Sequence, residues 1–180
     1  MAFEAYQQVI GQKQGQFKPE KSPGTRNLRQ GHELQSPILR VEYGVKTPYD
    51  VSTGATKGKR VHSILTVVKE WGASSPQSFR ANVSNELITS AIFSFYTVDD
   101  SGMDHLYYTI TLANGHIVNY RQFTGYKGVG DDSSAANAKN PGTYDTMELE
   151  EVGYTFETIT VKDIDGNTQC TDDWTANEAI

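Results

Sequence analysis

Leu106, Tyr108, Ile110 and Leu112 alternate with Tyr107, Thr109 and Thr111. A period of two places alternate side chains on opposite faces, so this run is a strand with one face toward a core. Asn114-Gly115 follows. That pair suits the central positions of a type I′ turn, where both residues take positive φ, and it predicts a hairpin returning through His116 to Phe123. Leu39, Val41, Tyr43 and Val45 give a second alternating strand, and Ile64 to Val68 a more apolar one. Ser90 to Val98 puts Phe93 and Phe95 on one face and Ile92 and Tyr96 on the other, which predicts cover on both faces. Asp99-Asp100-Ser101-Gly102 reads as the turn of a hairpin.

The later strands cover Met147 to Val161 and Gln169 to Trp174, joined at Asp165-Gly166. Their phase slips, since Tyr154 and Phe156 share one parity and Ile159 and Val161 the other. A one-residue slip inverts every side chain unless a bulge absorbs it, so a bulge or bend is expected near Glu157-Thr158. One segment reads as helix, with Ser75 as N-cap, Pro76 at the first helical position and Asn85 at the end. Phe79, Val83 and Leu87 recur at four-residue spacing and predict its buried stripe. Loops are expected over 18–31, 46–60 and 125–144. The reading is one domain over 1–180, mainly β: a tight antiparallel barrel of two packed sheets with one short α-helix.

The chemical inventory is poor. Gly54-Ala-Thr-Lys-Gly58-Lys59-Arg60 fails as a phosphate loop, which needs four residues between its glycines and a Ser or Thr after the Lys. Asp163-Ile-Asp165-Gly166-Asn167 fails as a calcium loop: Gly166 stands fourth where the sixth position is required, and Trp174 occupies the twelfth. His32, His62, His105 and His116 form no close ligand pair, and no nucleophile elbow is present. The expectation is no catalytic residue, no cofactor, no metal and no enzyme activity. A net charge of -6 argues against broad attraction to nucleic acid. Lys57, Lys59 and Arg60 are a small basic cluster without aromatic partners. The single cysteine, Cys170, excludes an intrachain disulfide. No apolar run reaches the roughly 20 residues that span a bilayer, so no membrane insertion is expected. MAFEAYQQVIG lacks the charged and apolar regions of a signal peptide. Cytoplasmic synthesis is expected, with any export through a machine that reads folded protein.

Several segments, taken in order, resemble the Hcp family, the haemolysin-coregulated tube proteins of type VI secretion. AFEAYQQVIGQKQGQF is similar to the family's opening strand and turn, and SPILRVEYGVKTP to the strand entering its long loop. TGATKGKRVHSILTVVKEWGASSPQSFRA resembles its Gly-Lys-Arg-x-His strand entry, Lys-Glu strand exit and Ser-Pro helix start. LYYTITLANGHIVNY and LEEVGYTFETITV look like later strands, and Asp172-Asp173-Trp174 like the closing motif. The loops over 18–31 and 125–144 depart from the common pattern.

The resemblance implies a homohexameric ring, and rings stacking into a tube inside a contractile sheath. It also implies spike partners, small effector proteins carried in the lumen, and a secreted product. Under that reading the 46–60 loop is the ring-stacking element, with Tyr49, Asp50, Thr53, Lys57, Lys59 and Arg60 as its contact residues. A competing reading is a monomeric β-barrel that binds a small ligand, which would need an accessible apolar interior.

Overall fold

The computed structural model describes residues 3–20, 31–124 and 148–174. The expected loop over 125–144 therefore lies outside the described residues, as do residues 21–30 of the expected loop over 18–31. Within the described chain, twelve strands and one helix succeed one another. They are β1 (Phe3–Gly11), β2 (Gly15–Gln16), β3 (Ser36–Ile38), β4 (Arg40–Glu42), β5 (Val45–Lys46), β6 (Val61–His62) and β7 (Leu65–Glu70). Helix α1 (Ser75–Val83) follows, then β8 (Leu87–Val98), β9 (Asp104–Thr124), β10 (Glu148–Tyr154), β11 (Thr158–Asp163) and β12 (Thr168–Asp173).

The alternating run lies in β9, but the expected hairpin at Asn114-Gly115 does not form. β9 continues through both residues as one 21-residue strand. Asn114 takes the left-handed φ of 52° that its side chain tolerates, whereas Gly115 is not among the residues of positive φ. One left-handed residue bends a strand, whereas a type I′ reversal needs two in succession. Before the bend, β9 pairs with β8 on one side and β11 on the other, as Ala91 and Ile159 both face Leu112. After it, β9 pairs with β10, Val152 opposite Tyr120.

The strand beside the bend breaks in step. Residues 155–157 separate β10 from β11, and the register slips between Gly153 and Tyr154. This is the bend that the parity change predicts, a residue or two before the expected place. Backbone bonds fasten the two bends: Thr155 N–H donates to His116 O at 2.9 Å, and Glu157 N–H to Ala113 O at 3.0 Å. A Cβ on Gly115 would lie 1.9 Å from Thr155 O, so only glycine lets the backbones meet.

The paired strands run in the order β2-β1-β8-β9-β10-β7-β4, with β11, β12 and β3 branching from it. β5 and β6 form a separate two-stranded sheet. The order is open, so the pairing does not give the sealed barrel that the strand count suggests. β3 pairs with β1 and β4 with β7, and Leu39, the one residue between them, donates its N–H to Val68 O at 2.8 Å. The expected single strand from Leu39 to Val45 is thus shared among β4, β5 and the turn between them. The core is filled by Leu65, Val67, Phe93, Leu112, Ile117 and Val152, none more than 2% exposed.

Helix α1 turns the opposite way from its sequence pattern. Its buried residues are Ser75, Ser78 and Ala81, while Phe79 and Val83 are 52% and 63% exposed. Small side chains let the helix lie close on the sheet, where Asn82 Nδ2 donates to Ile117 O at 2.9 Å. Leu87 belongs to β8. The N-cap is Ser74, one residue before the predicted one, and its hydroxyl donates to Glu20 Oε1 at 2.5 Å. Asn85, with φ 48°, ends the turn after the helix as predicted.

Beneath the helix start lies a buried ionic cluster. Lys69 and Glu150 are fully buried, and Glu20 is 6% exposed. The Lys69 ammonium donates to Glu20 Oε1 and to the Glu70 carbonyl. It sits 2.8 Å from Glu150 Oε1, an ion-pair distance without hydrogen-bond alignment. Tyr120 donates its hydroxyl to Glu150 Oε2 at 2.9 Å. A well-paired buried charge adds modest stability, whereas removing one partner leaves others uncompensated at about 3–5 kcal/mol. Lys69→Met should therefore destabilise the fold by about that amount in urea unfolding. Gly115→Ala should cost about 1–3 kcal/mol by overpacking. Gly102→Ala, where a Cβ meets open space, should cost only the roughly 1–2 kcal/mol of its left-handed backbone.

Candidate functional site: a projecting arm and its clamp

The expected 46–60 loop is a short ribbon. β5 and β6 pair through Val45–His62 and Lys46–Val61, and Tyr49 bridges Thr56 further out. The tip closes with Asp50 N–H donating to Ala55 O and Gly54 N–H to Asp50 O, both at 2.8 Å. Asp50 organises this tip. Its Oδ1 accepts Ser52 N–H and Oγ–H at 2.8 and 2.6 Å, and its Oδ2 accepts the Lys57 ammonium at 2.6 Å. Lys57, and after it Ser52, hold the Asp50 carboxyl at about 2. Thr53 Oγ1 accepts Ala55 N–H at 3.3 Å.

A clamp of side chains holds the arm at its root. Arg60 grips the Asp172 carboxylate with two donors and gives a further bond to Asp173 O at 2.7 Å. His62 is buried and places Nε2 2.8 Å from Asp172 Oδ2, with Nδ1 facing the Tyr43 hydroxyl. An ionised carboxylate only accepts, so Nε2 carries the proton and Nδ1 accepts from Tyr43. The imidazole also packs against Phe156 and Trp174, with ring centroids 5.5 and 5.3 Å away. The Arg60 hydrogen bonds outweigh desolvation and hold Asp172 below its ordinary range. Burial, and then the Asp172 charge, push the Tyr43 hydroxyl up.

Of the residues singled out by sequence, Tyr49, Asp50, Thr53 and Lys57 come together at or beside the tip. Lys59 is exposed nearer the root, and Arg60 turns inward to the clamp. Sequence reasoning did not assign Tyr43, His62 or Asp172 to this site. The spacing of Arg60 and His62, two apart on one strand face, is the signal that both reach one acidic partner. It also did not mark the arm's apolar side chains: Val45, Tyr49, Val51 and Val61 are 52%, 63%, 87% and 56% exposed.

Between arm and sheet lies an open groove of about 570 Å³, bordered by Tyr43, Val45, Lys59, Ile159, Val161 and Cys170. A second groove of about 900 Å³ is bordered by Lys46, Pro48, Tyr49 and Val61 and shares Tyr43 and His62. Among the described residues no group of three or more His, Cys, Asp or Glu is arranged to hold a metal ion. Both His62 ring nitrogens are engaged, so the arrangement suits a clamp better than proton transfer. Asp172 has a folded pKa below its ordinary 3.8. Its contribution is present above that value and is lost as pH falls through the lower folded pKa. Acid titration below pH 3.8 should thus change Trp174 fluorescence as the root loosens, and Asp172→Asn should remove that transition.

Comparison with known proteins follows the same lines. The family model described as "Type VI secretion system effector, Hcp" matches residues 24–162. The "Major exported protein" of Pseudomonas aeruginosa PAO1 is 29% identical over 178 residues, covering 97% of this chain and 96% of the relative. A crystal structure of an Hcp protein superposes with a TM-score of 0.79 at 21% identity, covering 98% of this chain and 100% of the other. A double mutant of the Hcp1 protein from E. coli EAEC 042 gives 0.75 at 23% identity, covering 96% and 99%. The secreted protein Hcp3 from Pseudomonas aeruginosa gives 0.70 at 21%, covering 97% and 100%. The chain belongs to the Hcp family of the type VI secretion system.

Proposed function

We propose that this chain is a structural subunit of the type VI secretion tube. Six copies close side by side into a ring, and rings stack through the arm. The tube is exported without a cleaved leader, inside a sheath and behind a spike, and small effector proteins ride in its lumen. Family membership and the whole-chain likeness to Hcp folds support this reading. The named exported relative supports secretion.

The observation that carries it is the arm, a clamped ribbon that presents Val45, Tyr49, Val51 and Val61 to water in a lone subunit. An apolar surface held out on a rigid stem fits a contact with another chain. The same reading takes the sheet as a sealed barrel, since only Leu39 separates the strand that pairs with β1 from the one that pairs with β7. A ring joins unlike patches of neighbouring subunits and needs roughly 1,000 Å² or more per contact. Stacking asks for weaker contacts, because a tube must also come apart. Exposed ion pairs of about 0.2–1 kcal/mol each suit that need when repeated sixfold.

Native mass spectrometry should show particles of six 19.9 kDa chains. A sample that remains single at every concentration would exclude the reading. Lys57→Glu with Lys59→Glu should leave rings intact and abolish stacks in negative-stain images, and unchanged stacking would count against the arm's role.

A further inference from the structure

The charge of this chain is unevenly placed. Although the net charge is -6, the arm carries Lys46, Lys57 and Lys59 against Asp50, with Arg60 committed to Asp172 at the root. The far end of the sheet is the reverse. There the β8–β9 turn carries Asp99 and Asp100, with Asp104 just beyond, and the β11–β12 turn carries Asp163 and Asp165, with Lys162 the one lysine. The two turns lie side by side: His105 Nε2 is 2.7 Å from Asp165 Oδ1, and Ile164 N–H donates to Tyr107 O at 2.8 Å. Exposed Val98 and Met103 flank the acidic turn, at 52% and 66%, and match the arm's own mix of charge and apolar surface.

The arm is rooted beside Phe156 and Asp172, next to the row in which Ala113 faces Ser90 and Thr158. The acidic turn begins at Val98, eight residues along β8. At about 3.3 Å per residue the two regions stand roughly 26 Å apart. Unlike patches at opposite ends generate an open-ended assembly, whereas a patch that meets itself closes a dimer. Acidic ends also repel one another, which disfavours the reversed arrangement.

We infer that the arm's partner is the acidic end of a second copy of this chain, with Lys57 and Lys59 meeting Asp99 and Asp100. This rests on the tube-subunit reading and specifies its stacking contact. The test is zero-length carbodiimide cross-linking of the full chain at low ionic strength, followed by mass spectrometry of joined peptides. Within one chain the groups are too far apart to join. Peptides linking Asp99 or Asp100 to Lys57 or Lys59 are expected in species of twelve chains or more. Their yield should fall at least tenfold in 1 M salt, and likewise in Asp99→Asn with Asp100→Lys. Asn at position 99 keeps the Oδ1 that accepts Ser101 and Met103 N–H, so the turn survives. Six-chain rings without these links in larger species, or links confined to six-chain particles, would overturn the inference and leave the ring intact. A chain that stays single would instead overturn the tube-subunit reading, and the inference with it.

Discussion

The contact between Gly115 and the Thr155 carbonyl governs the geometry of the molecule. β9 can serve both parts of the sheet only because its backbone bends there, and the bend can close only where no Cβ intrudes. The β10–β11 break sits directly opposite, so one corner redirects two neighbouring strands at once. That corner carries β11 and β12 away from β7. It thereby sets Asp172 and Trp174 at the root of the arm, where Arg60 and His62 arrive from the strand just before β7. The arm's orientation is thus decided by a glycine more than fifty residues further along the chain.

Strand identity was largely legible, because period-two runs such as Leu106 to Leu112 have few alternative folds. What the runs pair with was not. Asn114-Gly115 has the composition of a hairpin turn, and the structure uses Asn114 for its tolerance of positive φ and Gly115 for its missing Cβ. Those are two separate properties of the same dipeptide, and local chemistry alone does not say which is in use. The parity slip after Phe156 was a better guide, since a slip has to be absorbed somewhere nearby. The helix misled for a related reason. Phe79 and Val83 form the larger apolar stripe, but close approach to a sheet selects Ser78 and Ala81, and periodicity weighs hydrophobicity without regard to fit.

At the candidate site, sequence identified the segment without its internal wiring. Gly54, Gly58 and the lysines marked a solvated loop, yet Asp50 is consumed in folding the tip, and Arg60 in holding the root. The histidines had been set aside for lack of a metal pattern. His62 instead fills the space between Tyr43, Phe156 and Trp174 and shares Asp172 with Arg60. Such a partnership joins residues 110 positions apart, and no spacing rule for local motifs reaches that far. The nearest textual trace is the pairing of an Arg-x-His entry with an Asp-Asp-Trp close, which had meaning only through family resemblance.

The division of labour along the arm follows from these bonds. A flexible loop would lose conformational entropy on every contact it made, at about 1–2 kcal/mol per ordered residue. Against exposed ion pairs of well under that value, such a loop could not hold two rings together. The Asp172 clamp, the β5–β6 ladder and the Asp50 tip settle most of that ordering during folding, in the single subunit. Weak contacts then suffice for assembly. Because each remains weak, the contacts can be broken one ring at a time, which a tube built to come apart requires. Stiffness inside the subunit and weakness between subunits are therefore two consequences of one arrangement: the strongest polar groups of the arm face its own root, and the lysines are left near its outer surface.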